Sequence, residues 1–340
     1  MKLHYQIINS EFKYPFTISK GRTKTHQPAL IVSLSLGNFT GWGEAPAITY
    51  YDISVEKMVE DLTAKKLFIE KFALTEPERY WHYLHHLLPQ NPFLVCALDM
   101  ACWDLFGKLE GQPLYKLWQT EWQNIPLTDY TIGIDSIEKM KEKIKENPWP
   151  VYKIKLGTDK DIEIIESLRS CTDKPFRVDV NGGWSLSEAL EKIPHLEKLG
   201  VDLIEQPLAK NDWEAMKVLY EKSSLPLFAD ESCVFENDVE KCAGHFHGIN
   251  IKLTKCSGPT PALRMIKRAR ALNLKVMMGS MNETSVGSAA IANFLPQLDF
   301  VDMDGKLLLQ TDIAEGLDME AGFVTLRYPS GLGIAVNGFQ

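Results

Sequence analysis

The chain of 340 residues has no CxxC pair, and its six cysteines (Cys96, Cys102, Cys171, Cys233, Cys242 and Cys256) are scattered. This excludes a disulfide framework and a zinc ribbon, and it fits reduced thiols in a cytoplasmic setting. Long apolar runs are missing too. No stretch approaches the roughly 18 apolar residues of a membrane span, and Met1 to Gln6 have no signal-like apolar region. A partner membrane is therefore not expected. Blocks of like charge are also absent, and the net charge of −8 removes nucleic acid as the default partner.

What the chain does have is a 45% hydrophobic content, enough for a sizeable core. Its length suits a barrel of roughly 200 to 250 residues with a smaller module. Residues 1 to about 45 read as antiparallel strands, with period-two alternation in Leu3 to Ile8 and Ala29 to Leu36 and a turn at Gly37-Asn38. Between them, Ile18 to Gln27 is polar and without an apolar period, and it reads as a mobile loop. From Ser54 to Gly111 the period is helical, with helix starts at Ser54, Pro77 and Asn91-Pro92. Asp99 and Asp104 on the third helix read as structural carboxylates or caps. His82, His85 and His86 lack the acidic partner of a metal-binding helix, and His245 and His247 near Cys242 lack a second ligand pair.

After Pro126 strand and helix alternate to about residue 305, with strands starting near Thr128, Val151, Phe176, Val201, Leu225, Ile249, Lys275 and Phe300. This is the pattern of βαβ units, and eight such strands suggest a closed barrel with its site at their C-terminal ends. The predicted fold is a modified TIM barrel, (β/α)7β, with an N-terminal α+β capping domain. The expected division is 1–124 for the cap with its specificity loops, 125–308 for the barrel and 309–340 for a segment that returns to the cap.

At the predicted strand ends stand Lys155, Asp179, Glu205, Asp230 and Lys252, separated by 24, 26, 25 and 22 residues. Charges at the ends of buried strands are costly unless they pair or bind a metal. Asp179, Glu205 and Asp230 would converge from adjacent staves, and three hard oxygen ligands without sulfur select Mg²⁺ or Mn²⁺. Lys155 and Lys252 would lie on the second and sixth staves and face each other across that cation. Such a pair can take a proton from one face of a carbon and return it to the other. A lysine acts as base only when neutral, and Lys153, on the same strand face as Lys155, and the cation would both lower its pKa.

KIK at Lys153 to Lys155, DVNGGW from Asp179, IEQP at Glu205, ADES at Asp230 and NIKL at Lys252 resemble the muconate-lactonising subgroup of the enolase superfamily. The resemblance covers nearly the whole chain. It implies proton abstraction α to a carboxylate, with Mg²⁺ stabilising the enediolate, and often a homo-oligomer. The subgroup's members share the metal and the lysines, so those residues do not choose among its reactions.

Asp302 and Asp304, at i and i+2 on the eighth strand, match the dipeptide epimerases, where the pair holds the substrate's α-ammonium group. The charge agrees, since paired anions bind a cation and repel an acyl or succinyl carboxylate. Thr131 and Ser280 match positions that contact substrate in such enzymes. Arg22 would suit an acidic side chain on the second residue of the dipeptide, whereas Tyr50 and Tyr51 would suit a small or apolar one. The expectation is therefore an Ala-X dipeptide epimerase, an isomerase. The alternatives are an N-acylamino acid racemase or o-succinylbenzoate synthase of the same subgroup, a Schiff-base aldolase using Lys155 or Lys252, and a non-catalytic peptide-binding barrel.

Overall fold

The structure is a computed structural model that describes residues 1–18 and 22–338, with Phe16 to Ile18 and Arg22 described by their backbone alone. β1 (Lys2–Ile18), β2 (Arg22–Leu36) and β3 (Phe39–Pro46) form an antiparallel sheet in that order. The pairing of β1 with β2 runs from Lys2 opposite Ser35 to Ile18 opposite Arg22, with an irregularity between Glu11 and Phe16. Arg22 to Gln27 are thus strand, not loop as expected. The ladder is made by the backbone, so a polar ribbon can pair without any apolar period. Residues 19–21 lie outside the described residues.

Each helix start in the cap falls where expected. α1 (Val55–Lys71) is capped by Ser54, which accepts from the Lys57 amide at 3.2 Å. α2 (Pro77–Leu87) opens on proline, and α3 (Pro92–Leu109) is capped by Asn91, which accepts from the Leu94 amide at 3.2 Å. α3 buries 13 of its 18 residues and belongs to two cores, with Phe93 and Leu98 facing the cap and Cys96 and Met100 facing the barrel. β3 crosses it so closely that a Cβ on Gly43 would come within 1.9 Å of the Ala97 carbonyl oxygen. Only glycine fits there.

After α4 (Leu114–Leu117) the barrel strands follow: β4 (Tyr130–Ile132), β5 (Tyr152–Lys155), β6 (Phe176–Asp179), β7 (Val201–Glu205), β8 (Leu227–Ala229), β9 (Gly248–Ile251), β10 (Lys275–Gly279) and β11 (Phe300–Asp302). They form one parallel sheet in sequence order, and a bridge between Thr128 and Val301 joins its two edges. Between strands run α5 (Ile137–Glu146), α6 (Asp161–Arg169), α7 (Leu186–Lys198), α8 (Trp213–Lys222), α9 (Asp238–Cys242), the pair α10 (Leu253–Cys256) and α11 (Pro259–Ala271), and α12 (Ser285–Ala292). This is the (β/α)7β order.

Outward residues such as Ile154, Val178, Ile204 and Ile249 pack under the helices, while Leu203, Phe228, Met277 and Phe300 plug the barrel's floor. Above the plug, Arg177 pairs with Asp129 at 2.8 Å, and its guanidinium lies 5.1 Å from the Phe300 ring centre. Beyond α13 (Gly305–Leu308), the short strands β12 (Ala314–Glu315) and β15 (Ala335–Val336) pair with each other, as do β13 (Leu317–Glu320) and β14 (Phe323–Leu326). This last segment touches both units: the Leu332 amide donates to Asp104 at 2.7 Å, and Asn293 of the barrel donates to the Leu332 carbonyl at 3.2 Å. Among the described residues, no helix is long and apolar enough to cross a membrane.

Candidate active site

The strand ends set the site. Lys155, Asp179 and Glu205 are the last residues of three neighbouring strands and sit in register, with Lys155 opposite Asp179 and Asp179 opposite Glu205. Asp230 and Lys252 directly follow β8 and β9, and Asp302 ends β11. Period-two alternation turns all of them, and Lys153, into the barrel. All seven are buried.

The lysines differ in how they are held. Lys153 reaches Asp302 at 2.6 Å, Glu205 at 2.8 Å and Asp179 at 3.1 Å. Lys155 reaches Asp179 at 2.6 Å and the Asn181 amide oxygen at 3.5 Å. Lys252 bonds Asp230 at 2.8 Å. A Cβ on Gly279 would come within 3.2 Å of the Lys252 Cε, so the missing side chain leaves the lysine its place. Asp304 accepts from the Thr131 amide at 2.6 Å, and Ser280 donates its amide to the Asp302 backbone carbonyl at 2.7 Å. The Arg22 side chain lies outside the described residues. Tyr50 and Tyr51 reach the mouth from the cap, where burial and the charges of Asp230 and Glu231 raise both phenols above their ordinary pKa.

Protonation follows from crowding. Burial alone would lower Lys153 and Lys252, but the surrounding carboxylates, Asp302 for the first and Asp230 for the second, outweigh it and hold both well above the usual lysine value. Burial pulls Asp179 up, yet Lys155 and Lys153 bring it down to about 2. Burial and then Asp179 push Glu205 up to about 7, and burial with Asp302 does the same to Asp304, also to about 7.

With ammonium groups between them, the carboxylates do not form a closed cage. Among the described residues, no three His, Cys, Asp or Glu side chains are grouped as they would be around a metal ion. The donor chemistry nevertheless fits a hard divalent cation. Asp129, Asp179, Glu205, Asp230, Glu231, Asp302 and Asp304 outnumber Lys153, Lys155, Arg177, Lys252 and Lys255 by two, and Glu231 Oε2 and Asn250 Oδ1 are buried without a hydrogen-bond partner. Burial and mutual repulsion hold Glu205 and Asp304 up to about 7, and two further positive charges would favour the ionised form of all seven.

Several of these groups escape the sequence reading. Arg177 stands two residues before Asp179 on one strand, a spacing that signals a shared face. Asn181 bridges Lys155 to Glu231, donating to the latter at 3.1 Å, and Asn250 donates to Glu205 at 2.9 Å. Lys255 has no exposed side-chain surface and bonds Asp230. His247 accepts from the Leu227 amide at 3.1 Å, and His85 stacks on Trp81.

A closed parallel barrel with facing lysines and converging carboxylates at its mouth, under an α+β cap, defines a barrel enzyme with its chemistry at the strand ends. Comparison with known proteins narrows that class. Residues 4–118 match the N-terminal domain of mandelate racemase / muconate lactonizing enzyme, and residues 135–339 match the enolase C-terminal domain-like family. A relative from a Maribacter species, an L-Ala-D/L-amino acid epimerase, is 48% identical over 99% of this chain and 100% of its own. The substrate-liganded L-Ala-D/L-Glu epimerase of Bacillus subtilis superposes with a TM-score of 0.93 at 28% identity, covering 100% of both chains. A dipeptide epimerase from Cytophaga hutchinsonii, complexed with Mg and D-Ala-L-Val, gives 0.91 at 26% identity, covering 98% of this chain and 95% of its own. The chain belongs to the mandelate racemase / muconate lactonizing enzyme family of the enolase superfamily and is an isomerase.

Proposed function

We propose that the enzyme is a Mg²⁺-dependent dipeptide epimerase that inverts the α-carbon of the C-terminal residue of an Ala-X dipeptide. The observation that carries this reading is the opposition of Lys155 and Lys252, on the second and sixth barrel strands, across the carboxylates of Asp179, Glu205 and Asp230. Those three carboxylates would hold Mg²⁺, or Mn²⁺, which when bound draws charge from the substrate carboxylate as the α-proton leaves. Lys155 takes the α-proton on one face and Lys252 delivers a proton to the other; for the opposite stereoisomer the roles exchange. Lys153, tied to three carboxylates, stays charged and supports the negative charge that develops. Asp302 and Asp304 receive the substrate's ammonium group. Thr131, whose amide holds the Asp304 carboxylate, and Ser280, whose amide bonds the Asp302 backbone carbonyl, would contact the substrate. An acidic side chain on X would suit Arg22.

What favours a free amino terminus over an acyl group is Asp304. It has a buried carboxyl pushed up to about 7 beside Asp302, and an arriving ammonium group would relieve it. An N-acyl substrate offers no cation there. Proton NMR in D₂O, with Mg²⁺ and Ala-X dipeptides in all stereochemical forms, tests the reading through the α-proton of X. Exchange with appearance of the diastereomer is expected, and EDTA should stop it. No exchange with any dipeptide, but exchange with N-acylamino acids, would replace this reading with a racemase.

A further inference from the structure

Asp230 is held by two lysines, and they are not equivalent. Lys252 touches it through Oδ2 at 2.8 Å and retains some exposure at the mouth. Lys255, one helical turn further on in α10, bonds the other oxygen, Oδ1, and its side chain is fully enclosed. Three backbone carbonyls share the ammonium group's remaining two N–H donors: that of Asp230 at 2.6 Å, of Cys233 at 3.2 Å and of Asn250 at 3.4 Å. These oxygens belong to the end of β8, the segment leading to α9 and the end of β9. A lysine surrounded in this way cannot swing toward a substrate. It is a fixed strut between two barrel strands and one carboxylate.

We propose that Lys255 is a positioning residue: it aims the Asp230 carboxylate at the metal, so that Lys252 can leave Asp230 and serve as acid and base. The proposal rests on the metal-dependent reading above. The physical need is plain. When Lys252 turns to the substrate carbon, Asp230 would be a buried carboxylate with one partner fewer, free to change rotamer. Lys255 keeps Oδ1 bonded, fixes the rotamer and leaves Oδ2 directed at the cation. Groups that orient metal ligands typically govern metal affinity by about 10- to 100-fold.

The sign of the effect separates positioning from charge. A cation beside a metal site repels the metal, so removing it for electrostatic reasons alone would tighten binding. Loss of a strut loosens it. In calorimetric titration of the purified protein without substrate, Lys255→Met should weaken Mg²⁺ binding by about 10- to 100-fold, with circular dichroism and melting confirming the fold. Lys252→Met should not weaken it. Excess Mg²⁺ should restore turnover to Lys255→Met but not to Lys252→Met, a difference that a general loss of structure would not produce. If Lys255→Met does not fold, Lys255→Gln, which keeps a donor, should still bind more weakly than the wild type. If neither folds, slow exchange of the Lys255 ammonium protons in the Mg²⁺-loaded wild type supports the proposal and fast exchange overturns it. Unchanged or tighter binding by a folded variant overturns this proposal alone, whereas a wild type that binds no divalent cation overturns it together with the metal-dependent reading.

Discussion

Lys153 has three carboxylate partners, while Lys155 and Lys252 have one each. Freeing a singly anchored ammonium group costs less, which agrees with the proposed roles of Lys155 and Lys252 as acid and base and of Lys153 as a fixed charge. Lys155→Ala and Lys252→Ala should each lower epimerisation by about 10²- to 10⁴-fold. Each variant should still exchange the α-proton of one stereoisomer in D₂O, the one facing the remaining lysine. Full epimerisation by either variant would refute the two-base scheme. Asp304→Asn should raise the KM for dipeptides with a free amino terminus by about 10- to 100-fold, the worth of a buried charged hydrogen bond. It should leave N-acetylated analogues unchanged. Asp302 is less suited to that test, because its carboxylate also anchors Lys153. Strand-end charges are legible in the sequence because side chains alternate strictly along a strand, which puts Lys153 and Lys155 on one face. Lys255 is not legible, since it follows the strand on a short helical turn whose direction depends on what packs around it.

Helix ends are the elements where cap and barrel meet. Asp99 of α3 accepts from the Thr260 amide and hydroxyl of α11, each at 2.8 Å, and Glu44 of β3 accepts from the Thr284 amide at 3.0 Å and the Gly287 amide at 3.0 Å at the start of α12. Both carboxylates supply, from the other unit, the acceptor that a helix N-terminus lacks. Asp104 caps no helix but ties β3 to the terminal segment, accepting from the amides of Trp42 at 2.9 Å and Leu332 at 2.7 Å. Asp99→Ala should cost about 1–3 kcal/mol, because the Thr260 donors would stay buried and unpaired. A melting curve displaced downward with the barrel's circular dichroism retained is the expected result. The caps at Ser54 and Asn91 are local, within four residues, and could be read directly. The partners of Asp99 and Glu44 lie 161 and 240 residues away, so the sequence could suggest a cap at Asp99 without showing which helix it caps, and gave no sign of one at Glu44. The strand segment from Arg22 to Gln27 escaped for the opposite reason: its pairing is made by backbone, and Thr23 to His26 bury no apolar side chain that would mark it.

At the scale of the molecule, the seam between cap and barrel is a titratable layer. Burial and the neighbouring Glu44 push Glu283 up to about 8, and burial pushes Glu44 up to about 7. A carboxyl raised in the folded state contributes stability fully below its unfolded value of about 4.5 and loses it as pH rises toward the folded one. Relative to Glu283→Gln, the wild type should therefore lose stability between about pH 4.5 and 8, by up to about 1.4 kcal/mol per pH unit. Paired denaturant titrations at several pH values measure this, and a constant difference across the range would show that Glu283 does not titrate in that window.

The sequence by itself determined the strand and helix order, the three helix starts of the cap and the charged residues at the strand ends. These follow from local rules: side-chain period, capping chemistry and chain connectivity. Only the tertiary structure decided which charge meets which. Lys153 rather than Lys155 holds three carboxylates, Asp230 is shared by Lys252 and Lys255, and Asp302 and Asp304 differ in their partners. The reason is that Coulomb energy and desolvation depend on distances of a few ångströms across the barrel, and those distances exist only once all eight strands have closed.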